Sequence, residues 1–285
     1  MSLQHQLAPN VGLTVGYFRT WYGNNYVTDN LAVTPADFTR YCVTAPVDSR
    51  LPGGGGYQLC DGLFDVSREK FGKTDNITIL APDRSKIFNG IDALISARLR
   101  GGYLITGGLA TGQTVTDNCA TPDVPAQFCR QTIPWSGQTE LKFSVVAPLP
   151  WWGLQASGTF QNLPGVPNPG VVQGTTQVVS NNDIAPSLGR NLSACPQASG
   201  SCNAATIVTI VEPYTMFEPR ENQLDVRLSK TSRFGRARLQ ANFDIYNLFN
   251  ISSVLARQIR YGSAWLNAQS ILAGRFIKVG AQLDF

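Results

Sequence analysis

Apolar and polar residues alternate strictly at the C-terminal end of this 285-residue chain. The apolar face carries Ile277, Val279, Ala281, Leu283 and Phe285, and the polar face carries Lys278, Gly280, Gln282 and Asp284. Alternation with a period of two indicates a β-strand with one apolar face. Its length suits a strand that crosses a membrane, which needs about 9–11 residues. The alternation slips at Arg275, where a bulge or the membrane boundary would explain it.

The same pattern recurs upstream and predicts seven further strands. They are Val11–Tyr17, Ile91–Arg98, Gly102–Ala110, Glu140–Val145, Leu154–Gln161, Gln223–Ser229 and Arg238–Ile245. Glycines blur the two faces of Gly102–Ala110, whereas the other six alternate clearly. The chain is therefore predicted to be all-β, with about eight antiparallel strands.

The connections between these strands are short at one end and long at the other. The short ones are Arg100–Gly101, Pro148–Trp152 and Thr231–Gly235, and the long ones span about 23–86, 114–135, 163–220 and 250–270. This layout is typical of outer-membrane barrels. If the last strand ends on the periplasmic side, every long loop is external. We therefore expect residues 1–285 to form a single segment of an up-and-down transmembrane β-barrel.

Aromatic residues near the predicted strand ends support a membrane environment. They are Trp21, Tyr22, Trp135, Trp151, Trp152, Phe234 and Phe249. Transmembrane barrels carry aromatic girdles at both interfaces. The alternative is a soluble β-sandwich, whose strands alternate in the same way. A dry centre containing Leu239, Phe243 and Leu283, with the arginines in solvent, would favour the sandwich.

Composition narrows the possible classes of protein. Charged residues make up only 15% of the chain, and the net charge of +4 comes from dispersed Lys and Arg. This pattern predicts no nucleic-acid partner. No run of about 20 apolar residues is present, so a membrane protein of this sequence would have to be a barrel. The N-terminus, Met1–Gln6, does not look like a secretory signal, which leaves a cytoplasmic protein or a fragment with an export signal upstream.

Six cysteines form three local groups in polar segments between the strands. The pairs are Cys42 with Cys60, Cys119 with Cys129, and Cys195 with Cys202. Sequence alone does not fix the connectivity, but local pairing is the simplest interpretation. Six reduced thiols are the alternative, and zinc is disfavoured because Cys-x-x-Cys is absent. Disulfides imply an oxidising compartment, which favours the fragment over the cytoplasmic protein.

Several segments resemble a known family. The closing strand with its terminal Phe285 and the segment Asp244–Asn250 are similar to the C-terminal barrel region of TonB-dependent outer-membrane receptors. The segments Val27–Asn30, Ala45–Tyr57 and Tyr261–Trp265 are similar to large receptors that carry an N-terminal carboxypeptidase-regulatory-like domain. The resemblance spans nearly the whole chain.

This resemblance implies a fold, a location and a set of partners. The fold would be part of a barrel of about 22 strands with an N-terminal plug, in the bacterial outer membrane. The expected partners are outer-membrane lipid, the barrel-assembly machinery, the remainder of the receptor (plug and upstream strands) and an unknown small ligand. Phe285 matches the terminal aromatic residue that the assembly machinery reads. The implied function is ligand binding and uptake.

No catalytic residue, metal site or cofactor is predicted. The Gly53–Gly56 run lacks the Lys-Ser/Thr of a phosphate-binding loop. A Ser–His–Asp triad would need His5, the one histidine, which we expect in an unstructured start. Glycosidase chemistry needs two carboxylates at a suitable separation, and several lie on the polar faces. We instead expect these acids to pair with basic residues in a polar lumen; the candidate ligand- or lumen-facing residues are Asp92, Arg98, Glu140, Lys142, Asp225, Arg227, Arg238 and Asp244.

Three functions remain open at this point. The first is a transport-barrel segment whose open edges, Val11–Trp21 and Ile277–Phe285, pair with further strands. The second is a self-contained eight-stranded barrel that serves as a binding or adhesion module. The third is a soluble β-rich enzyme, a glycosidase or an esterase, from a truncated reading frame.

Overall fold

The computed structural model describes residues 1–167 and 174–285. In chain order the strands are β1 Ser2–Ala8, β2 Val11–Tyr22, β3 Asn25–Asn30, β4 Phe38–Arg40, β5 Val43–Thr44, β6 Gln58–Leu59, β7 Phe64–Val66, β8 Asn76–Ala81, β9 Ser85–Arg98, β10 Leu104–Asp117, β11 Arg130–Ile133, β12 Glu140–Pro148, β13 Leu154–Leu163, β14 Thr175–Ser180, β15 Ala205–Val211, β16 Glu221–Phe234, β17 Ala237–Tyr246, β18 Val254–Arg257, β19 Ala268–Ile271 and β20 Phe276–Asp284. One α-helix, α1 Asn181–Leu188, and 3-10 turns at Pro35–Asp37, Pro52–Gly54 and Trp135–Gln138 complete the elements. The fold is all-β and antiparallel, as predicted.

One large sheet organises the molecule. Its strand order is β1-β2-β9-β10-β12-β13-β16-β17-β20, and β11 pairs with the far end of β10. All eight predicted strands are present in it as β2, β9, β10, β12, β13, β16, β17 and β20. Main strands that follow one another along the chain also lie side by side in the sheet. Among the described residues β1 and β20 do not pair with each other, so the sheet is open.

The structure corrects the expectation that the N-terminus is unstructured. Ser2–Ala8 forms strand β1, and His5 lies opposite Leu13 of β2. The turn between the two strands uses Asn10 at a φ of 64°, a left-handed conformation that asparagine tolerates better than most residues. The opening edge of the sheet is therefore β1 and not the predicted Val11–Trp21.

Two connections also differ from the prediction. Strand β16 continues to Phe234, so the predicted turn Thr231–Gly235 shortens to Gly235 and Arg236, with Gly235 at a φ of 61°. Strand β10 continues to Asp117, and its end pairs with β11 in register Asp117↔Arg130. Much of the predicted loop 114–135 is thus an extension of the sheet.

The long connections leave the sheet at one end, and the short turns lie at the other. We name the long ones L1 (residues 23–84), L2 (118–139), L3 (164–220) and L4 (247–275). Residues 168–173 of L3, within the predicted connection 163–220, lie outside the described residues. The long connections contain their own two-stranded sheets: β3 with β8, β4 with β7, β5 with β6, β14 with β15, and β18 with β19. No helix among the described residues is long and apolar enough to span a membrane.

The hydrophobic core lies in the long connections and not on the large sheet. The core cluster consists of Tyr41, Val43, Leu51, Leu63, Val179, Ile184, Leu188, Leu192, Cys195, Val208, Ile210, Val211 and Trp265. Among the described residues, the large sheet contributes one buried apolar side chain, Ala97. The sheet is therefore not stabilised by a dry interior of its own.

Candidate functional site

The apolar face of the large sheet is continuous across eight strands. One row of paired residues runs Val11, Ala97, Ile105, Val145, Gly158, Val226, Ile245 and Ile277. Apart from the buried Ala97, the apolar side chains on this face are partly or fully exposed: Phe243 is 42% exposed, Leu283 57% and Val279 77%. Leu239 pairs with Leu283 across β17 and β20. These residues do not gather in a dry centre.

The polar face forms rows of its own. One row runs Gly12, Ser96, Thr106, Ser144, Thr159 and Asp225. Within it the hydroxyls of Ser144 and Thr159 lie 2.7 Å apart and share a hydrogen bond. A groove of about 540 Å³ lies over this face between β9, β10 and β12, and its lining includes Lys142 and Glu140.

An ion pair holds β16 and β17 together on the polar face. Arg227 donates from Nε to Asp244 Oδ1 at 2.5 Å and from Nη2 to Oδ2 at 3.1 Å. Asp244 is only 3% exposed, although its neighbour Phe243 on the opposite face is 42% exposed. At this step of the strand the charged side chain is thus better covered than its apolar neighbour, the reverse of the usual soluble arrangement.

The other predicted lumen residues divide into paired and unpaired groups. Lys142 donates to Glu140 Oε2 at 2.6 Å along one strand. Asp225 accepts a hydrogen bond from Gln223 at 3.0 Å and from the backbone N–H of Asn247 at 2.8 Å. Among the described residues, the side chains of Asp92, Arg98 and Arg238 make no hydrogen bond or ion pair, so the expected pairing of acids with bases does not hold for these three. The eight predicted residues therefore share a face but do not converge on one point.

The six cysteines form the three predicted local disulfides. Cys42 bonds Cys60, Cys119 bonds Cys129, and Cys195 bonds Cys202. The three disulfides lie in L1, L2 and L3, one in each. Each disulfide therefore links two residues of the same connection. In the chain-entropy model, loops of this size gain about 2–3 kcal/mol each.

Ion pairs and hydrogen bonds join L1 to L3. Arg190 donates to Asp65 Oδ2 at 2.5 Å and to the carbonyl of Val66 at 2.9 Å. Arg68 donates to the carbonyl of Cys195 at 2.8 Å, so the third disulfide is held against L1. The Tyr57 hydroxyl donates to the carbonyl of Ile210 at 2.6 Å.

A cluster of four side chains joins L1 to L4. Arg50 forms an ion pair with Asp48 at 2.7 Å, and its guanidinium lies 5.2 Å from the ring centroid of Trp265. Tyr261 donates to Asp48 Oδ2 at 3.1 Å. Hydrogen bonds from Arg50 hold the pKa of Asp48 well below its usual range. Asp48 therefore stays ionised at neutral pH and keeps the contact in place.

Trp265 connects L4 to L3 as well. It is 1% exposed, and its indole N–H donates to Thr175 Oγ1 at 3.1 Å. Arg257 of L4 forms an ion pair with the buried Glu218 of L3, with Nη2 and Oε2 2.7 Å apart. The long connections thus form one assembly, which we call the loop assembly. Sequence reasoning missed it, because its apolar residues follow no regular period.

Neither a metal site nor a similarity to known proteins indicates a function for this chain. Within residues 1–167 and 174–285, no three His, Cys, Asp or Glu side chains group as a metal site. No protein-family model matches the sequence, and no curated protein is significantly similar to it. The arrangement of the two sheet faces and the loop assembly therefore carries the functional argument.

Proposed function

We propose that this chain is an outer-membrane β-barrel segment of a TonB-dependent receptor, which takes part in ligand binding and uptake across the outer membrane. The observation that carries the proposal is the location of the hydrophobic core, which lies in the loop assembly, whereas the apolar side chains described on the large sheet are, except for Ala97, partly or fully exposed. Soluble monomers rarely expose contiguous apolar patches larger than a few hundred Å². Lipid would cover this face.

The polar face supports an enclosed, hydrated interior. It carries the Arg227–Asp244 and Lys142–Glu140 ion pairs. A charged network of this kind fits the polar lumen of a large barrel. Lys230 is an exception on the apolar face, where it pairs with Leu154 near the short turns. A lysine so close to the membrane boundary can extend its ammonium group to the interface.

The aromatic residues support two membrane interfaces. Trp151, Trp152 and Phe234 lie at the short-turn end of the sheet and are exposed, while Trp21 and Tyr22 are exposed at the end of β2 next to L1. Aromatic side chains at both ends of the strands are the pattern of barrel girdles.

The open edges favour a barrel segment over a self-contained barrel. Strands β1 and β20 each have one unpaired side in the described part of the chain. In a membrane, unpaired backbone groups are costly, so each edge needs a further strand. The upstream strands of the receptor would supply those partners. Phe285, which is fully exposed, would be available to the assembly machinery.

Expression with and without detergent tests the proposal. We expect the chain to aggregate without detergent and, in detergent, to give a folded species whose gel mobility changes on heating. A monomeric, folded product in plain buffer would refute membrane insertion and leave the soluble β-rich enzyme. A cysteine crosslink between Gln4 of β1 and Gln282 of β20 within one chain would instead favour the self-contained barrel.

A further inference from the structure

The loop assembly contains an open cavity of about 560 Å³, distinct from the polar face of the sheet. Besides further apolar side chains, its lining includes Arg50, Tyr57, Phe128, Glu212, Thr215 and Met216. The cavity lies where L1, L2 and L3 meet. Its volume is within the range of about 300–1,000 Å³ that is usual for sites of small molecules.

Most polar groups of the lining are already satisfied by the protein. Arg50 is held by Asp48 in a two-point ion pair, and the Tyr57 hydroxyl donates to the carbonyl of Ile210. Thr215 donates to the backbone carbonyl of Glu212 at 2.7 Å. The Glu212 side chain is exposed and makes no hydrogen bond or ion pair to the described residues. One free carboxylate thus stands at the rim of a mainly apolar cavity.

Phe128 is placed in the wall of this cavity in a strained conformation. Its φ is 50°, which is unusual for a bulky residue. Gln127, next to it, makes two hydrogen bonds to the backbone of Thr209, at 2.7 and 3.0 Å. On the other side, Cys129 is fixed by its disulfide to Cys119. The strain persists because both neighbours are held, and such strain is concentrated at functional sites.

The approach of L1 to Gln127 fixes L2 further. A Cβ atom at Gly62 would lie 2.2 Å from the backbone nitrogen of Gln127. Only glycine therefore permits this contact. The wall that contains Phe128 is thus built from three connections, each restrained by its own disulfide or by backbone hydrogen bonds.

We propose that this cavity binds a small, mainly apolar ring compound that carries a hydroxyl or amino group. Apolar side chains and the Phe128 ring would contact the ring of the ligand. The Glu212 carboxylate would accept a hydrogen bond from its donor group. The same carboxylate would repel an anionic ligand. This inference rests on the proposed function in one respect, because it locates the ligand-binding step of that function in this cavity.

Methionine offers a direct probe, because the chain has only Met1 and Met216. Met1 is fully exposed, whereas Met216 lines the cavity. The chain, labelled with ¹³C at its methionine methyl groups and folded in detergent, is titrated with p-cresol, 4-methylanisole, benzoate and methyl glucoside. We expect p-cresol to shift the Met216 signal with saturation and to leave Met1 unchanged. 4-Methylanisole, which has no donor, should bind more weakly, and benzoate should not bind.

Variants make the assignment specific. Thr215→Trp should fill the cavity and abolish the saturable shift, whereas Ser199→Trp, an exposed position of L3 outside the cavity, should retain it. Glu212→Gln should reduce the preference for p-cresol over 4-methylanisole and weaken the exclusion of benzoate. Spectra of the unliganded variants show whether each one is folded.

Two results would overturn the proposal. A shift of Met216 that is linear, or equal to that of Met1, would mean partition into detergent and no site. Saturable binding of methyl glucoside or benzoate in place of p-cresol would contradict the ligand class. The cavity lies in the loop assembly and not in the large sheet. The titration therefore measures ligand binding independently of the gel and crosslinking tests of the barrel.

Discussion

Substituting arginine on the apolar face should be far more costly in lipid than in water. Val145 lies on β12 within the apolar row and is 40% exposed in the isolated sheet. If that face met water, Val145→Arg would change stability by about 0.5 kcal/mol or less. If it meets lipid near the bilayer midplane, arginine costs about 2–4 kcal/mol. That cost is roughly a 30- to 900-fold change in the folding equilibrium constant.

The neighbouring residue provides a matched control on the opposite face. Ser144→Arg inserts the same side chain one position away and loses the hydrogen bond to Thr159, at about 1 kcal/mol. Both variants are folded in lipid vesicles and then unfolded with guanidinium. Their free energies of unfolding are compared with that of the unsubstituted chain. If the apolar face meets lipid, Val145→Arg should be the more destabilising variant by at least about 1 kcal/mol. The opposite order would refute it.

Three further predictions concern the loop assembly and the polar face. Trp265→Ala should destabilise the loop assembly by about 3–5 kcal/mol, seen as a lower unfolding midpoint in near-ultraviolet circular dichroism, whereas Trp265→Phe should retain most of the stability. Because the pKa of Asp48 is lowered, the stabilisation from its contact with Arg50 is fully present above the usual carboxyl pKa of 3.8 and is lost as the pH falls through the pKa of the folded state. Asp48→Asn should therefore lower the melting temperature at pH 7. The difference in melting temperature should shrink in acid below pH 3.8. A double-mutant cycle on Arg227→Met and Asp244→Asn should give a coupling energy of about 1–3 kcal/mol, and a value near zero would mean that the ion pair does not tie β16 to β17.

Seven of the eight main strands were predictable because each shows a period of two over enough residues to define its faces, whereas the glycines of Gly102–Ala110 blur the two faces of the eighth. β1 was not, since the polar His5 interrupts its apolar face between Leu3 and Leu7. The disulfide pairs were predictable from proximity in the chain alone. Pairing by proximity needs no knowledge of how the loops fold.

The loop assembly was not predictable, because its contacts join segments far apart in the chain. Tyr57 and Ile210 are 153 positions apart, and Arg50 and Trp265 are 215 apart. No local period links such residues. Helix α1 was missed for a related reason, since Asn181–Leu188 contains Pro186 and owes its place to the core around Ile184. The alternation along each strand places these polar residues on a shared face, but their pairing depends on register. Arg227 meets Asp244 because the two lie opposite each other where β16 pairs with β17.

In the proposed barrel segment, one face of the sheet meets lipid and the other meets water. All six cysteines are disulfide-bonded, so an added cysteine is the one thiol that a nitroxide label can modify. Five variants each carry one added cysteine on β17, at positions 239 to 243. In vesicles, we expect molecular oxygen to reach the label best at 239, 241 and 243, and a water-soluble nickel chelate to reach it best at 240 and 242. Equal access of the chelate to every position, or the opposite alternation, would contradict it.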